Sequence, residues 1–157
     1  MSVKLLRFKP TCFAGTTDAT AEVISNPEAI ANFTPTFGGS TKVINVALHD
    51  SNDNASEALS VYFFAKGDND LTPTLGTAVS MTDANFLANI PFASVALSGV
   101  AAGAHGDLIS SKLYNADTSF VVQSEEGSRD IFVSIVADST GFVSTADGLE
   151  LIISVED

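Results

Sequence analysis

Three side chains of this 157-residue chain are suited to nucleophilic or acid–base work near neutral pH: Cys12, His49 and His105. A catalytic triad would need one histidine within hydrogen-bond reach of Cys12 or a serine, and an acid to orient it. His49 ends an apolar-alternating run at the acidic turn Asp50-Ser-Asn-Asp-Asn54. His105 lies in the loop-like Gly103-Ala-His-Gly106, and Cys12 sits in an irregular stretch between Pro10 and Gly15. No Gly-x-Ser-x-Gly elbow occurs. The residues therefore predict a protein without enzymatic activity and without catalytic residues.

The acidic turns pose a second chemical question. Asp50, Asn52 and Asn54 occupy the spacing of the first three ligands of a calcium loop. Ala55 then stands where that loop needs glycine, and Val61 where it needs a bidentate glutamate. Asp68, Asn69 and Asp70 have the composition of an irregular cation loop, although solvated turn acids are the commoner explanation of such a cluster. One cysteine and two histidines are too few for a zinc site. The glycines of Gly99-Val-Ala-Ala-Gly103-Ala-His-Gly106 lack the Lys-Ser/Thr of a phosphate loop. Tryptophan is absent, and most of the 11 phenylalanines fall in apolar runs, which favours core packing over a sugar-binding platform. No cofactor and no metal is expected.

The elements that would position these groups read mainly as strands. Ile44, Val46 and Leu48 share one face of Thr41–His49. In Ala58–Ala65, Leu59, Val61 and Phe63 oppose Ser60, Tyr62 and Phe64. Ile131, Val133 and Ile135 repeat the alternation, as do Leu149, Leu151, Ile153 and Val155, with Ile152 breaking the polar face. A period of two is the signature of strands packed on a second layer. Weaker strands are expected at Thr77–Met81, Phe92–Leu97 and Ser119–Gln123. Two short helices are expected: one starting at Ser25-Asn26-Pro27-Glu28, the other capped by Thr82 or Asp83. The fold class is thus all-β: an antiparallel, jelly-roll-like β-sandwich with one or two short helices, forming one domain over residues 1–157.

Charge is unevenly placed. Lys4, Arg7 and Lys9 fall in the first nine residues, which contain no acid, leaving four bases against nineteen acids for the rest of a chain whose net charge is −12. Such a body repels phosphate backbones and anionic lipid surfaces, so neither nucleic acid nor membrane is an expected partner. Charged residues make up only 17% of the chain. Ala84 to Gly106 carries no formal charge, but Asn85, Asn89, Pro91 and three glycines make it too polar for a membrane helix. Burial against a partner would explain it, and a homo-oligomer is expected, a trimer before a dimer. Residues 1–15 form either an N-terminal arm or an edge strand. The expected partner-binding residues are Lys4, Leu5, Leu6, Arg7, Phe8 and Lys9, with apolar anchors between bases. The single cysteine excludes an intrachain disulfide, and the first residues lack the apolar run of a signal peptide. The glycosylation patterns at Asn32 and Asn54 are therefore read as chance matches.

From about Thr41 onward the chain resembles a loose group of tailed-bacteriophage virion proteins, head decoration or cement proteins among them. The resemblance lies in Leu71-Thr-Pro-Thr-Leu-Gly-Thr-Ala78, Met81-Thr-Asp-Ala84, the strands around Phe120 and Ile131, and Phe142-Val-Ser-Thr-Ala-Asp-Gly-Leu-Glu-Leu-Ile-Ile-Ser-Val-Glu-Asp157. It covers roughly three quarters of the chain, and its motifs are structural turns. It implies a non-enzymatic protein, made in a bacterial cytoplasm, that binds the major capsid protein on the outer surface of the virion head and stabilises it. A tail or fibre component, or a soluble ligand- or glycan-binding β-sandwich, is the alternative.

Overall fold

A computed structural model describes residues 2–18, 20, 22–52, 58–66, 93–100 and 112–156, with 93–100 and 112–118 described by their backbone alone. Ten strands follow in order: β1 (Val3–Phe8), β2 (Gly15–Thr16), β3 (Glu22–Ile30), β4 (Ser40–Asp50), β5 (Leu59–Phe64), β6 (Ala93–Val100), β7 (Lys112–Gln123), β8 (Ile131–Ala137), β9 (Val143–Ser144) and β10 (Leu149–Glu156). Eight of them hydrogen-bond in the order β1-β10-β4-β7-β6-β5-β8-β3, all pairs antiparallel, while β2 and β9 form a separate two-stranded ribbon.

The order resolves into two four-stranded layers, β1-β10-β4-β7 and β3-β8-β5-β6. Strand β6 joins them: Ala93 to Leu97 pair with β5, and Ser98 to Val100 pair with β7. At the opposite edge the chain leaving β1 crosses to the second layer, where Cys12 bridges Ser25 and the Phe13 N–H donates to the Ile24 carbonyl at 2.9 Å. Four strands per layer in this order make an antiparallel jelly roll, in which non-local pairing hides most sheet edges.

Alternation fills the space between the layers. Val43, Val46, Leu48, Leu151, Ile153 and Val155 from the first layer meet Leu59, Val61, Phe63, Ile131, Val133 and Ile135 from the second. The Phe63 and Phe120 rings cross edge to face at 5.1 Å, tying β5 to β7. Strand β5 is buried on both faces because its outward Tyr62 and Phe64 join Val23 and Val136 in a second apolar cluster.

One expected helix is corrected. Ser25 to Ile30 belong to β3, paired with β8 from Ser25↔Ile135 to Ile30↔Ile131. The register shifts on both sides of Ser25, past Ile24 on one side and past Asn26 and Pro27 on the other. The Ser25 hydroxyl accepts from the Ile135 N–H at 2.9 Å, and Ser134 Oγ donates to the Ser25 carbonyl at 2.6 Å. A capping serine and a proline suit an edge-strand bulge as well as a helix start, and one or two turns repay little of the cost of helix nucleation. The second expected helix and the strand Thr77–Met81 lie outside the described residues. Strands β6 and β7 extend beyond the expected runs, to Val100 and back to Lys112.

Candidate partner-binding face

Cys12 and His49 are held apart by the sheet. Cys12 is buried in the main core, its thiol donating to the Pro10 carbonyl at 3.6 Å. Burial above all, then the nearby Glu28 carboxylate, pushes this thiol up to about 12, so at neutral pH it is protonated and a poor nucleophile. On β4 the flanking Leu48 and Asp50 are buried inward, while His49 lies half-buried on the outward side, in register with Glu150. Glu150 itself is engaged by Arg7, Nη1 to Oε1 at 3.1 Å. His105 lies outside the described residues.

The acidic turn after β4 is built as a hydrogen-bonded corner. Asp50 is fully buried, and its Oδ1 accepts from the Asn52 N–H at 2.9 Å and from Asn52 Nδ2 at 3.3 Å. Asn52 Nδ2 also donates to Thr145 Oγ1 at 3.2 Å, and the Ser51 N–H to the Gly148 carbonyl at 2.8 Å. A Cβ at Gly148 would stand 2.4 Å from Thr145 Oγ1, so the Thr145-Ala-Asp-Gly148 turn requires glycine for close approach. Asp50 thus caps a turn. Asn54 and Asp68 to Asp70 lie outside the described residues. Among the described residues no three His, Cys, Asp or Glu side chains are grouped to hold a metal ion, and no helix is long and apolar enough to cross a membrane.

The residues expected to bind a partner divide between two sides of β1. Leu6 and Phe8 turn inward and pack on the main core. Leu5, with Val3 beside it in the alternation, turns outward; the two are 55% and 65% exposed. Lys4, Arg7 and Lys9 are exposed, with Arg7 held by Glu150. Strand β1 is the terminal strand of its layer, antiparallel to β10 from Val3↔Glu156 to Phe8↔Leu151.

Cross-strand register assembles a face that the linear sequence does not show. One row across the outer side of the first layer reads Val3, Glu156, Lys42 and Val121 on β1, β10, β4 and β7. Lys42 Nζ lies 3.1 Å from Glu156 Oε2, and Val121 is 60% exposed. Neighbouring rows add Leu5 beside Ser154 and Asn45, and Arg7 beside Ile152 and Ala47. On this face Arg7 pairs with Glu150 and Lys42 with Glu156, and the register also sets Asp117 of β7 beside Asn45. The outer side of the second layer differs, because Val23, Tyr62, Phe64 and Val136 are buried there. Burial, then Asp138, raises the Tyr62 hydroxyl above its ordinary range.

Sequence reasoning missed three exposed apolar residues, Phe37, Val121 and Val143. Val121 lay in a recognised strand, but which face it takes follows from its pairing with Lys42. Phe37 is 73% exposed on a turn closed by the Gly39 N–H to the Thr36 carbonyl, 3.0 Å. That turn is laced to the loop after β7 by the Gly38 N–H to the Ser128 carbonyl and by Gln123 Nε2 to the Gly38 carbonyl. Gly38 takes φ +62°, which suits glycine. Among eleven phenylalanines nothing in the local pattern singled this one out.

Compared with known families and with curated proteins, the sequence matches no family model and no curated protein.

Proposed function

We propose that this chain is a non-enzymatic capsid decoration protein of a tailed bacteriophage, binding the outer surface of the head through the major capsid protein and stabilising it. The observation that carries the reading is the open outer face of β1-β10-β4-β7, a contact surface of the kind that joins subunits in an assembled coat: apolar side chains around two ion pairs, on an otherwise strongly acidic molecule. Large exposed apolar residues gathered on one face mark interaction surfaces. A net charge of −12 suits the exterior of a shell, away from packaged DNA. The turn motifs behind the phage resemblance have a structural role here: Ser144 to Gly148 brace the corner at Asp50, and Leu149–Glu156 is a central strand of the open layer.

Immunogold labelling of particles from the lysate in which the chain is made tests this. Gold over the head surface is the expected result. Gold confined to tails would select the tail or fibre alternative, and unlabelled intact particles would overturn a virion role. Phe37 favours a second reading, a soluble ligand- or glycan-binding sandwich, because a fixed exposed aromatic can stack on a sugar. Binding on a glycan panel that disappears in Phe37→Ala would establish that reading instead.

A further inference from the structure

The row Val3–Glu156–Lys42–Val121 reads apolar, acid, base, apolar across four adjacent strands. That order is its own complement. Turn a second copy over about a two-fold axis lying in the face and parallel to the strands. Val3 of one copy then meets Val121 of the other, and Glu156 meets Lys42, twice over. We propose that the outer face of β1-β10-β4-β7 binds the same face of a second copy of this chain, forming a two-fold, face-to-face dimer whether or not the protein decorates a shell.

Three observations favour a second copy as the occupant. The charge order of the row complements itself, as an isologous contact requires. Two bodies of charge −12 repel wherever acids dominate, and the row on which this contact is centred carries one acid and one base. The outer side of the other layer is already buried, so it offers no equivalent apolar surface. Sheets stacked face to face with nearly aligned strands pack about 10 Å apart, a distance that valine, lysine and glutamate side chains fill from both sides. The edge of β1 is a poorer contact, because Lys4 is an exposed charge on an edge strand, a common guard against edge-to-edge pairing. The symmetry differs from the trimer favoured by the uncharged stretch at 84–106. The described part of that stretch, Ala93–Val100, is an interior strand between β5 and β7.

The test is sedimentation of the purified full chain across a concentration series, with two charge-reversed variants. The wild type is expected to dimerise, and to do so more tightly at high salt, since screening removes the repulsion between like-charged bodies. Lys42→Glu and Glu156→Lys each place like charges opposite one another in the two-fold contact, so each alone should lose dimerisation. Mixed in equal amounts they should associate again, because an acid–acid row then faces a base–base row. Rescue by mixing cannot come from the Lys42–Glu156 pair within one chain. Thermal melts of each variant confirm folding. A wild type that remains monomeric at about millimolar concentration, the weak limit of useful affinity, would overturn the proposal. So would dimers that persist in either single variant, two folded variants that stay monomeric when mixed, or association that weakens with salt.

Discussion

Ser25 shows how much one small residue can decide. Its hydroxyl takes the Ile135 N–H, and its carbonyl takes Ser134 Oγ, at a position where the β3–β8 ladder slips. All three residues are fully buried. Ser25→Ala would leave the Ile135 N–H unpaired away from water, a loss of about 1–3 kcal/mol. A denaturant midpoint reduced at unchanged m-value is the expected observation. Cys12 supplies a second prediction at this scale. With its thiol held to about 12, labelling by a thiol reagent at pH 7 should be negligible in the native protein and immediate after unfolding. The same shift fixes a sign for stability. Above the ordinary thiol value of 9.0 the unfolded chain releases this proton, while the folded chain keeps it until about 12. The contribution is therefore intact below pH 9 and is lost as pH rises through that window. Melting temperatures measured from pH 8 to 11 should fall more steeply for the wild type than for Cys12→Ala.

Strand β1 is the element on which fold and function meet. Leu6 and Phe8 pack on the core, and all six residues of the strand pair with β10. Removing residues 2–9 should therefore unfold the domain or lower its melting temperature by well over 10 °C, since two half-buried apolar side chains and a ladder are lost together. Circular dichroism melts of the truncated chain check this. An unchanged melting temperature would make the segment a dispensable arm. Substituting the outward residues instead, as in Leu5→Ser, should leave the melting temperature within a few degrees, because Leu5 is 55% exposed.

For the whole molecule, charge is the dominant long-range term. Nineteen acids face seven bases, and the described ion pairs involve exposed cations, each pair contributing about 0–1 kcal/mol. Self-repulsion should exceed that gain at low ionic strength. The melting temperature at pH 7 is expected to rise between about 10 mM and 150 mM salt, over which the screening length falls from about 30 to 8 Å. A melting temperature that falls over this range would show that the ion pairs outweigh the repulsion.

Local pattern determined the strands whose two faces differ chemically. Leu149–Glu156 and the Val46–His49 end of Thr41–His49 were legible because inward positions carry branched apolar residues and outward ones, Ile152 apart, are polar or small. Ile44, expected inward, is instead bulged out between Val43 and Asn45, and Val43 is buried in its place. The absence of a nucleophile motif around Cys12 and His49 was equally legible, being a matter of neighbours in sequence. The helix expected at Ser25 failed because its signals are local and ambiguous, whereas the pairing with β8 that decides the matter joins residues more than 100 positions apart. The open face was invisible for the same reason. Val3, Lys42, Val121 and Glu156 come from four distant segments, and each is unremarkable in its own stretch. Only antiparallel register sets them in one row, and register is a property of the assembled sheet, where a slip of one residue in any of the four strands would turn that strand's member of the row to the core.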